Sequence, residues 1–351
     1  MSRVSAIDLF CGVGGMTHGL IQAGVNVVAG IDNDETCSFA FEKNNRSTFI
    51  GADIRSLSAA HINSLFRDDD IKALVGCAPC QPFSTHTQKD KNRTADEKWG
   101  LLYHFLRLIS ECVPEIVSME NVIQIENQRV FQDFVVGLKS LGYRLFWKSA
   151  YCPDYGIPQT RRRLVLLASK LGDIRLIPKT HIEQRYKTVK QTIGKLEAIA
   201  DGITSAKDHL HRTMRLSPIN KKRIQQSKPG GTWRDWDEEL RVPCHRKETG
   251  KSYVSVYGRM VWDEPAPTIT TQFYNFGTGR FGHPEQDRAI SLREGALLQT
   301  FPRSYQFIDG EERASFEQVA RHIGNAVPVR LGVIIGRSIL KHVRETSGES
   351  V

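Results

Sequence analysis

The sequence lacks a long hydrophobic run, a secretory leader and a cysteine framework. None of its 351 residues lies in a stretch of ~18 consecutive apolar residues, the length that a bilayer span requires. The N-terminus enters a strand-like segment at once, without the basic and then apolar pattern of a signal peptide. Seven cysteines, an odd number, do not indicate a disulfide scaffold. We therefore expect a globular protein of the reducing cytoplasm, with no membrane association.

Most of the chain carries no excess of basic charge. The 48 basic and 39 acidic residues divide as 18 and 18 in residues 1–169, 22 and 14 in 170–288, and 8 and 7 in 289–351. The differences are 0, +8 and +1, so almost all of the net charge of +9 lies in the middle segment. A neutral body with a basic insert favours a polyanionic partner, and an ordinary solvated basic surface is the alternative.

The first half of the chain alternates strand and helix patterns. Amphipathic helical patterns occur at 16–23, 36–43 and 101–112. They separate apolar runs of strand length at 4–10, 27–31, 73–75, 116–119 and 164–168. This order predicts an α/β fold, a doubly wound and mostly parallel sheet, with ligands beyond the carboxyl ends of its strands.

The regular pattern ends near Lys170 and returns late. Residues 201–262 are rich in Arg, Lys, His, Pro, Gly and Trp, which predicts a smaller irregular domain of short strands and loops. Helical periodicity returns at 291–300 and at 327–343. We expect an α/β domain over 1–170, a second, irregular domain over 171–288, and a segment over 289–351 that completes the first domain.

Polar groups follow the first three predicted strands. The segment IDLFCGVGG carries Gly12 and Gly14 in a turn between strand and helix, where a nucleotide-like cofactor could approach the backbone. Asp32 follows the second strand and could bind ribose hydroxyls, and Asp53 follows the third and could bind an exocyclic amine such as that of adenine. Either acid could instead cap a helix or stabilise a turn. Together they favour a nucleoside pocket.

The segment VGCAPCQPFS, residues 75–84, displays a thiol. Pro79 and Pro82 stiffen the loop around Cys80, which suits a nucleophile whose pKa is lowered by its surroundings. Cys77 could instead form a CxxC redox or metal pair with Cys80. Because no second cysteine pair has zinc-ligand spacing, we predict no metal site.

Acidic and basic side chains follow at two further strand ends. Glu120 ends the apolar run IVSME and could donate a proton to a bound base, or simply cap a helix. In QTRRR, Arg161 and Arg163 would lie on one side of a strand, where they suit a phosphate or a base carbonyl. A solvated charge run is the alternative.

In this order, the motifs resemble those of the DNA (cytosine-5)-methyltransferases. The matching blocks are DLFCGVGG, APCQPFS, MENV, QTRRR, SLREGALLQTFP and RHIGNAVP, which cover about 1–170 and 264–345. The resemblance implies a Rossmann-like domain that depends on S-adenosylmethionine, with a target-recognition domain in the basic insert. The family often has Glu where this sequence has Asp32, and Arg293 with Glu294 matches its structural Arg–Glu pair.

The resemblance also assigns the chemistry. Cys80 would add to C6 of cytosine while Glu120 protonates or hydrogen-bonds N3, and C5 of the resulting enamine could attack the methyl group of S-adenosylmethionine. Loss of the C5 proton would release Cys80 and leave 5-methylcytosine, with S-adenosylhomocysteine as the second product. Because neither face of a stacked base is accessible, the cytosine must be flipped out of the duplex.

The remaining site residues follow by position. Arg161 and Arg163 would hold the flipped cytosine and its phosphate. Gln81 and Ser84 would begin the loop that closes over DNA, and Thr270 and Thr271 would read a base. The resemblance implies that the cofactor pocket is lined by Asp8, Phe10, Gly12, Gly14, Asp32, Asn33, Asp53, Ile54, Pro79, Leu102, Asn325 and Val327.

Three other functions compete with this interpretation. The chain could be a nucleic-acid-binding module with a decayed pocket, a tRNA cytosine-5 methyltransferase of the same family, or a nicotinamide-dependent dehydrogenase. The presence of Cys80 and Glu120 argues against decay, and the absence of a six-residue glycine fingerprint argues against a dehydrogenase. The long insert favours duplex DNA. We expect a monomeric bacterial enzyme that protects host DNA alongside a restriction endonuclease, without a stable complex.

Overall fold

The chain forms two compact units. The first consists of Met1–Tyr151, Arg162–Lys179 and Val327–Val351, and the second of Cys152–Arg161 and Thr180–Ala326. The structure, a computed structural model, describes residues 3–79, 95–250, 252–310 and 315–348.

The first unit is built on a seven-stranded sheet in the order β3-β2-β1-β4-β5-β7-β6. Neighbouring strands from β3 to β5 pair in parallel, whereas β7 pairs antiparallel with both β5 and β6. The predicted doubly wound, mostly parallel sheet is confirmed. Its strands are β1 (Val4–Leu9), β2 (Asn26–Asp32), β3 (Thr48–Gly51), β4 (Ile71–Gly76), β5 (Ile116–Asn121), β6 (Arg144–Tyr151) and β7 (Arg162–Ser169).

This topology brings the ends of several strands to one edge of the sheet. The carboxyl ends of the parallel strands β1, β2, β3, β4 and β5 share that edge. Because β7 is antiparallel, its first residues also lie there: Asn121 pairs with Leu164 and Glu120 pairs with Val165. The motifs that follow β1, β2, β4 and β5 and those that begin β7 are therefore brought to the same edge.

Helices cover this sheet through apolar faces that the sequence period predicts. Leu102, Phe105 and Ile109 repeat at helical spacing, and Phe105 packs on Phe134, with 5.7 Å between ring centroids. These side chains join Ile7 and other strand residues in one core cluster. The helices of this unit are α1 (Gly15–Ala23), α2 (Ser38–Asn45), α3 (Ala59–Ser64), α4 (Ala95–Cys112), α5 (Arg129–Ser140) and α11 (Val329–Thr346).

The last helix packs closely on the first. A Cβ placed on Gly19 would lie 2.1 Å from the Val329 oxygen, and one on Gly332 would lie 2.6 Å from the Met16 oxygen. Only glycine permits such an approach of the two backbones. This contact places the first turn of α11 against α1, the helix that follows the glycine turn after β1.

The second unit is irregular, as predicted, but the expected short strands are absent from its described residues. Its backbone forms short helices and isolated single-residue bridges instead. Buried side chains stabilise this irregular backbone. The Arg259 guanidinium donates hydrogen bonds to the carbonyls of Ser227, Ile224, His283 and Gln286. The helices are α6 (Val189–Ile193), α7 (Pro218–Gln226), α8 (Pro243–Arg246), α9 (Leu292–Leu298) and α10 (Phe316–Asn325).

These units are not divided as the predicted functional domains are. Residues 152–161 and 289–326 belong to the second compact unit, although the sequence assigned them to the catalytic domain. Compactness and function need not coincide, so the functional boundaries stay a prediction. One segment, Phe316–Thr346, is long and apolar enough to cross a membrane, but 72% of its most apolar window is buried inside the protein.

Candidate active site

The turn after β1 has the conformation that its glycines predict. Gly12 and Gly14 have φ of 50° and 82°, and Phe10 also has a positive φ, of 62°. A positive φ is rare for a large side chain and marks a backbone held by its surroundings. A Cβ placed on Gly12 would meet no described atom within 4 Å, so the turn leaves an open space beside its backbone.

Asp32, at the end of β2, lies beside this turn. Its Oδ2 accepts a hydrogen bond from the Gly12 amide at 2.9 Å, and its Oδ1 accepts one from the Asp34 amide at 2.9 Å. The half-buried carboxylate is therefore fixed by backbone donors, and its remaining lone pairs can accept further hydrogen bonds. Asn33, the next residue, is exposed. Asp32 and the glycine turn, both assigned to the predicted cofactor pocket, are thus in direct contact.

Asp8 lies on β1, before the glycine turn, and is buried. Its side chain is 1% exposed, and Oδ2 accepts a hydrogen bond from the Thr17 hydroxyl at 2.6 Å. Burial raises the pKa of Asp8 to about 7, and the nearby charge of Asp32 acts in the same direction. This group therefore carries a proton over much of the acidic range, unlike an ordinary carboxylate.

Asp53 adopts the capping role that the sequence left open. It caps a short 3₁₀ turn through the Arg55 amide, and its carboxylate pairs with the Arg55 guanidinium at 2.6 Å. These hydrogen bonds lower the pKa of Asp53. The 29% exposed carboxylate keeps solvent access, so its predicted contact with an adenine amine stays a prediction. Ile54, Leu102 and Val327, also predicted to line the pocket, are buried apolar side chains.

Glu120, at the end of β5, is held by two partners of different kinds. Its side chain is 1% exposed; Oε1 pairs with Arg163 Nε at 3.0 Å, and Oε2 accepts a hydrogen bond from the Cys77 thiol at 2.8 Å. The guanidinium of Arg163 also donates to the Arg162 carbonyl. The predicted acid and one of the two predicted arginines are thus in direct contact.

The adjacent residue connects β5 to the loop after β4. The Asn121 amide donates to the Ala78 carbonyl at 3.3 Å and accepts a hydrogen bond from the Val122 amide at 2.8 Å. Glu120 and Asn121 therefore contact residues three and two positions before Cys80 in the sequence. Pro79 is exposed at the end of this described segment. The predicted residues Cys80, Gln81 and Ser84 lie outside the described residues.

Arg161 belongs to the second unit, where it contacts the segment predicted to read a base. Its Nη1 donates to the Ile269 carbonyl at 3.1 Å, and the Ile269 amide donates to Gln159 Oε1 at 2.9 Å. Exposed Thr270 and half-buried Thr271 follow directly. QTRRR thus fixes the backbone beside both predicted base-reading residues.

The GNAVP motif contacts the same segment. A Cβ placed on Gly324 would lie 2.4 Å from the Thr270 carbonyl atoms, so α10 lies against this backbone. Asn325, a predicted cofactor residue, is the exposed last residue of α10. Gly324 is therefore required for close packing.

Arg293 and Glu294, which match the family's structural Arg–Glu motif, each bind a different partner. Glu294 binds Arg288 through two hydrogen bonds of 2.7 and 2.8 Å, whereas Arg293 pairs with Asp208 at 2.6 Å. The fully buried Glu294 also completes a capping box with Ser291 at the start of α9. Adjacent residues on a helix point in different directions, so the two cannot share one partner.

Two residues, one in each compact unit, have polar contacts that the sequence analysis did not predict. Cys77 lies three residues before the predicted nucleophile, and its spacing suggested only a CxxC pair. Gln159, in the QTRRR block, was not assigned a role, yet it is fully buried and donates to the Leu298 carbonyl at 2.7 Å. A buried polar side chain requires partners, but the sequence does not say which.

Comparison with known proteins identifies the family of this chain. The sequence model of the family described as C-5 cytosine-specific DNA methylase matches residues 4–341. The type II methylase M.HgiDII of Herpetosiphon aurantiacus is 55% identical over 338 residues, which cover 95% of this chain and 94% of that protein. The type II methyltransferase M.PspPI of Psychrobacter is 29% identical, covering 96% of this chain and 79% of that one.

The fold is shared with solved structures. A prophage-encoded E. coli protein described as a DNA modification methyltransferase has a TM-score of 0.69 at 24% identity, covering 97% of this chain and all of that one. S. pombe Dnmt2 methyltransferase has a TM-score of 0.63 at 16% identity, covering 98% and 99%. At these identities the likeness shows the fold alone, whereas the family match and the first relative identify the activity. The chain belongs to the C-5 cytosine-specific DNA methylase family and is a DNA cytosine-5-methyltransferase.

Proposed function

We propose that this enzyme methylates C5 of a cytosine within a specific duplex DNA sequence, using S-adenosylmethionine and a covalent intermediate on Cys80. We further propose that it protects host DNA as the modification partner of a restriction endonuclease. Family membership establishes the reaction class, and the type II relatives support the restriction–modification setting. The mechanism, the cofactor and the sequence specificity are the parts that need testing.

The observation that carries this proposal is the placement of Glu120. A buried carboxyl lies within hydrogen-bond distance of Arg163 and Cys77, at the sheet edge where the loop toward Cys80 begins. Carboxyl groups are rarely buried at the end of a strand without a partner or a function. This one has a positively charged partner, and it belongs to the sequence block that resembles the family's acid.

In the proposed mechanism, the chain's own residues activate the base. The Cys80 thiolate forms a bond to C6 while Glu120 delivers a proton to N3, so the ring electrons move toward C5 as an enamine. When bound, S-adenosylmethionine supplies the electrophilic methyl group. Removal of the C5 proton by a base then re-forms the C5–C6 double bond and breaks the bond between C6 and sulfur, and N3 returns its proton to Glu120. Cys80 leaves as the thiolate with which it began.

Residues at the ends of β1 and β2 fit the cofactor. Asp32 is held in place by backbone amides and retains acceptor capacity for ribose hydroxyls. The open space at Gly12 and the positive φ of Phe10 suit close approach of a ligand to this turn. We assign the pocket to the twelve residues that the family resemblance indicates, with Asp53 engaging adenine while it remains paired with Arg55.

The proposed substrate is duplex DNA with the target cytosine flipped out of the stack. Arg161 and Arg163 would hold the flipped nucleotide, Gln81 and Ser84 would lie in the closing loop, and Thr270 would read a base with Thr271. The basic excess of residues 170–288 supports binding to the phosphate backbone. We expect a monomer that acts on DNA in the bacterial cytoplasm and forms no stable complex with the endonuclease.

Methyl transfer with a labelled donor tests the substrate. We expect label to enter duplex DNA and not tRNA, and bisulfite sequencing of the product to find 5-methylcytosine in one sequence context. Label in tRNA alone would overturn the proposed substrate. Label in neither, from folded protein that binds DNA, would favour the decayed module.

A variant of Glu120 tests the acid. Glu120→Gln should slow methyl transfer by roughly 100-fold or more, the scale of a positioned acid, while donor binding is retained. Glu111→Gln, on a half-exposed surface of α4, is the matched control and should be active at the wild-type rate. A Glu120→Gln rate within a factor of two of wild type would place the acid elsewhere.

A further inference from the structure

The thiol of Cys77 is the contact at this site that the proposed mechanism does not use. Cys77 follows β4, is half-buried, and donates its S–H to Glu120 Oε2 at 2.8 Å. The other carboxyl oxygen, Oε1, faces Arg163 Nε at 3.0 Å. The two oxygens of Glu120 are therefore engaged by partners on different strands or loops, one charged and one neutral.

We propose that Cys77 is a positioning residue that fixes the plane of the Glu120 carboxyl group. The terminal torsion of a glutamate is broad and roughly two-fold, so a single partner at one oxygen leaves the group free to rotate. A donor at the second oxygen removes that freedom. This inference rests on the proposed role of Glu120 as the acid that acts on N3.

A thiol is a weak donor, so the expected effects are modest. Loss of one net hydrogen bond of ~1 kcal/mol changes a rate by less than tenfold. We expect Cys77→Ala to lower the single-turnover rate of methyl transfer by roughly threefold to tenfold, with little change in the concentration of DNA at half-saturation. Cys77→Ser keeps a donor and should restore most of the rate.

The decisive measurement is the single-turnover rate of the full chain, together with the concentration of DNA at half-saturation, for wild type, Cys77→Ala and Cys77→Ser. Cys112→Ala is the matched control, because Cys112 is a second half-buried thiol of the same unit, 3.9 Å from the Ala59 carbonyl. The rate should fall in Cys77→Ala at an unchanged half-saturation, recover in Cys77→Ser, and stay at the wild-type value in Cys112→Ala.

Raman spectra of the resting protein give a second readout. A hydrogen-bonded thiol has a lowered S–H stretching frequency, and the wild-type minus Cys77→Ala difference should contain one such band. The same band should shift to higher frequency in Glu120→Gln, because a neutral amide is a weaker acceptor than a carboxylate.

The outcomes separate this inference from the proposed function. If wild type methylates DNA while Cys77→Ala has an unchanged single-turnover rate, Cys77 has no positioning role. If Cys77→Ala is slower and Cys77→Ser is no faster than Cys77→Ala, the thiol only fills space and the inference is wrong. If wild type itself does not methylate cytosine, the proposed function fails, and the Raman band alone decides whether the thiol contact exists.

Discussion

Two acidic side chains at the same edge of the sheet have opposite surroundings. Glu120 is flanked by a guanidinium and a thiol donor, whereas Asp8 has the Thr17 hydroxyl and the repulsion of Asp32. Without a basic partner, burial dominates for Asp8 and raises its pKa to about 7. The folded protein therefore holds a proton on Asp8 that the unfolded chain releases near its ordinary pKa of 3.8.

Because the pKa of Asp8 differs between the folded and unfolded states, the free energy of unfolding depends on pH. Because the folded pKa of Asp8 is raised, its favourable contribution is complete below about pH 4 and is lost as the pH rises through about 7. Between about pH 5 and pH 8, wild type should lose roughly 2–3 kcal/mol more unfolding free energy than Asp8→Asn. Urea unfolding at several pH values measures this, with exposed Asp68→Asn as the control. Parallel curves for wild type and Asp8→Asn would show that Asp8 titrates normally.

At the scale of residues, the sequence predicted positions better than partners. A carboxylate at the end of a buried strand is visible in the sequence, so Asp32 and Glu120 could be placed at the site edge. Their partners depend on which strands become neighbours, and nothing near Glu120 in the sequence indicates Arg163. The same applies to Cys77, whose spacing from Cys80 suggested a cysteine pair although its thiol binds a carboxyl group.

At the scale of elements, α10 packs closely on a neighbouring backbone because Gly324 has no side chain. Gly324 lies in the last turn of this helix, against the backbone of Thr270 and Thr271. The residue before this segment, Ile269, is hydrogen-bonded to Gln159 and Arg161. The predicted base-reading residues therefore follow a segment with little freedom to shift.

Adding a single methyl group should disturb this contact. Gly324→Ala would place a Cβ 2.4 Å from backbone atoms that cannot move aside easily, and we expect a loss of about 1–3 kcal/mol in unfolding free energy. Gly100→Ala, in α4 with no described atom within 4 Å, should instead stabilise by about 0.5–1 kcal/mol. Thermal unfolding of the two variants tests both signs. A Gly324→Ala variant as stable as wild type would mean that α10 can move away.

Strand β6 and the lack of short strands among the described residues of the second unit were not predicted from the sequence. Strand β6 was missed because its sequence, RLFWKSAY, places Arg144 and Lys148 among apolar residues, as is usual for an edge strand. Short strands were expected in the second unit, but Arg259 binds four backbone carbonyls there and replaces ladder hydrogen bonds. Long-range satisfaction of the backbone by one side chain has no local sequence signal.

At the scale of the whole molecule, the excess of basic charge is concentrated in one segment of the chain. Residues 1–169 are balanced at 18 basic and 18 acidic, whereas 170–288 carry 22 and 14. We propose that the basic region, rather than the charge-balanced residues 1–169, determines how DNA is held. Exposed lysines of that region, Lys222, Lys228 and Lys247, are the candidates for phosphate contact.

Salt dependence tests this distribution. Each phosphate contact contributes about −0.9 to the slope of log K against log salt. Replacing Lys222, Lys228 and Lys247 together by glutamine should make the slope shallower by about 2–3, as measured by fluorescence anisotropy on a duplex. The control removes three exposed charges from the first unit, at Lys43, Arg67 and Lys139. A slope changed only by the control would move the phosphate-binding surface to the first unit.

The central claim is that Cys80 forms a covalent bond to C6 of a cytosine in duplex DNA. Duplex DNA that carries 5-fluorocytosine tests it directly, because fluorine cannot leave C5 as a proton does and the intermediate should accumulate. With S-adenosylmethionine present, we predict a denaturant-resistant complex whose cross-linked peptide maps to Cys80 and which Cys80→Ala does not form. A cross-link to another residue, or methyl transfer to ordinary duplex DNA with no trapped complex, would contradict the account.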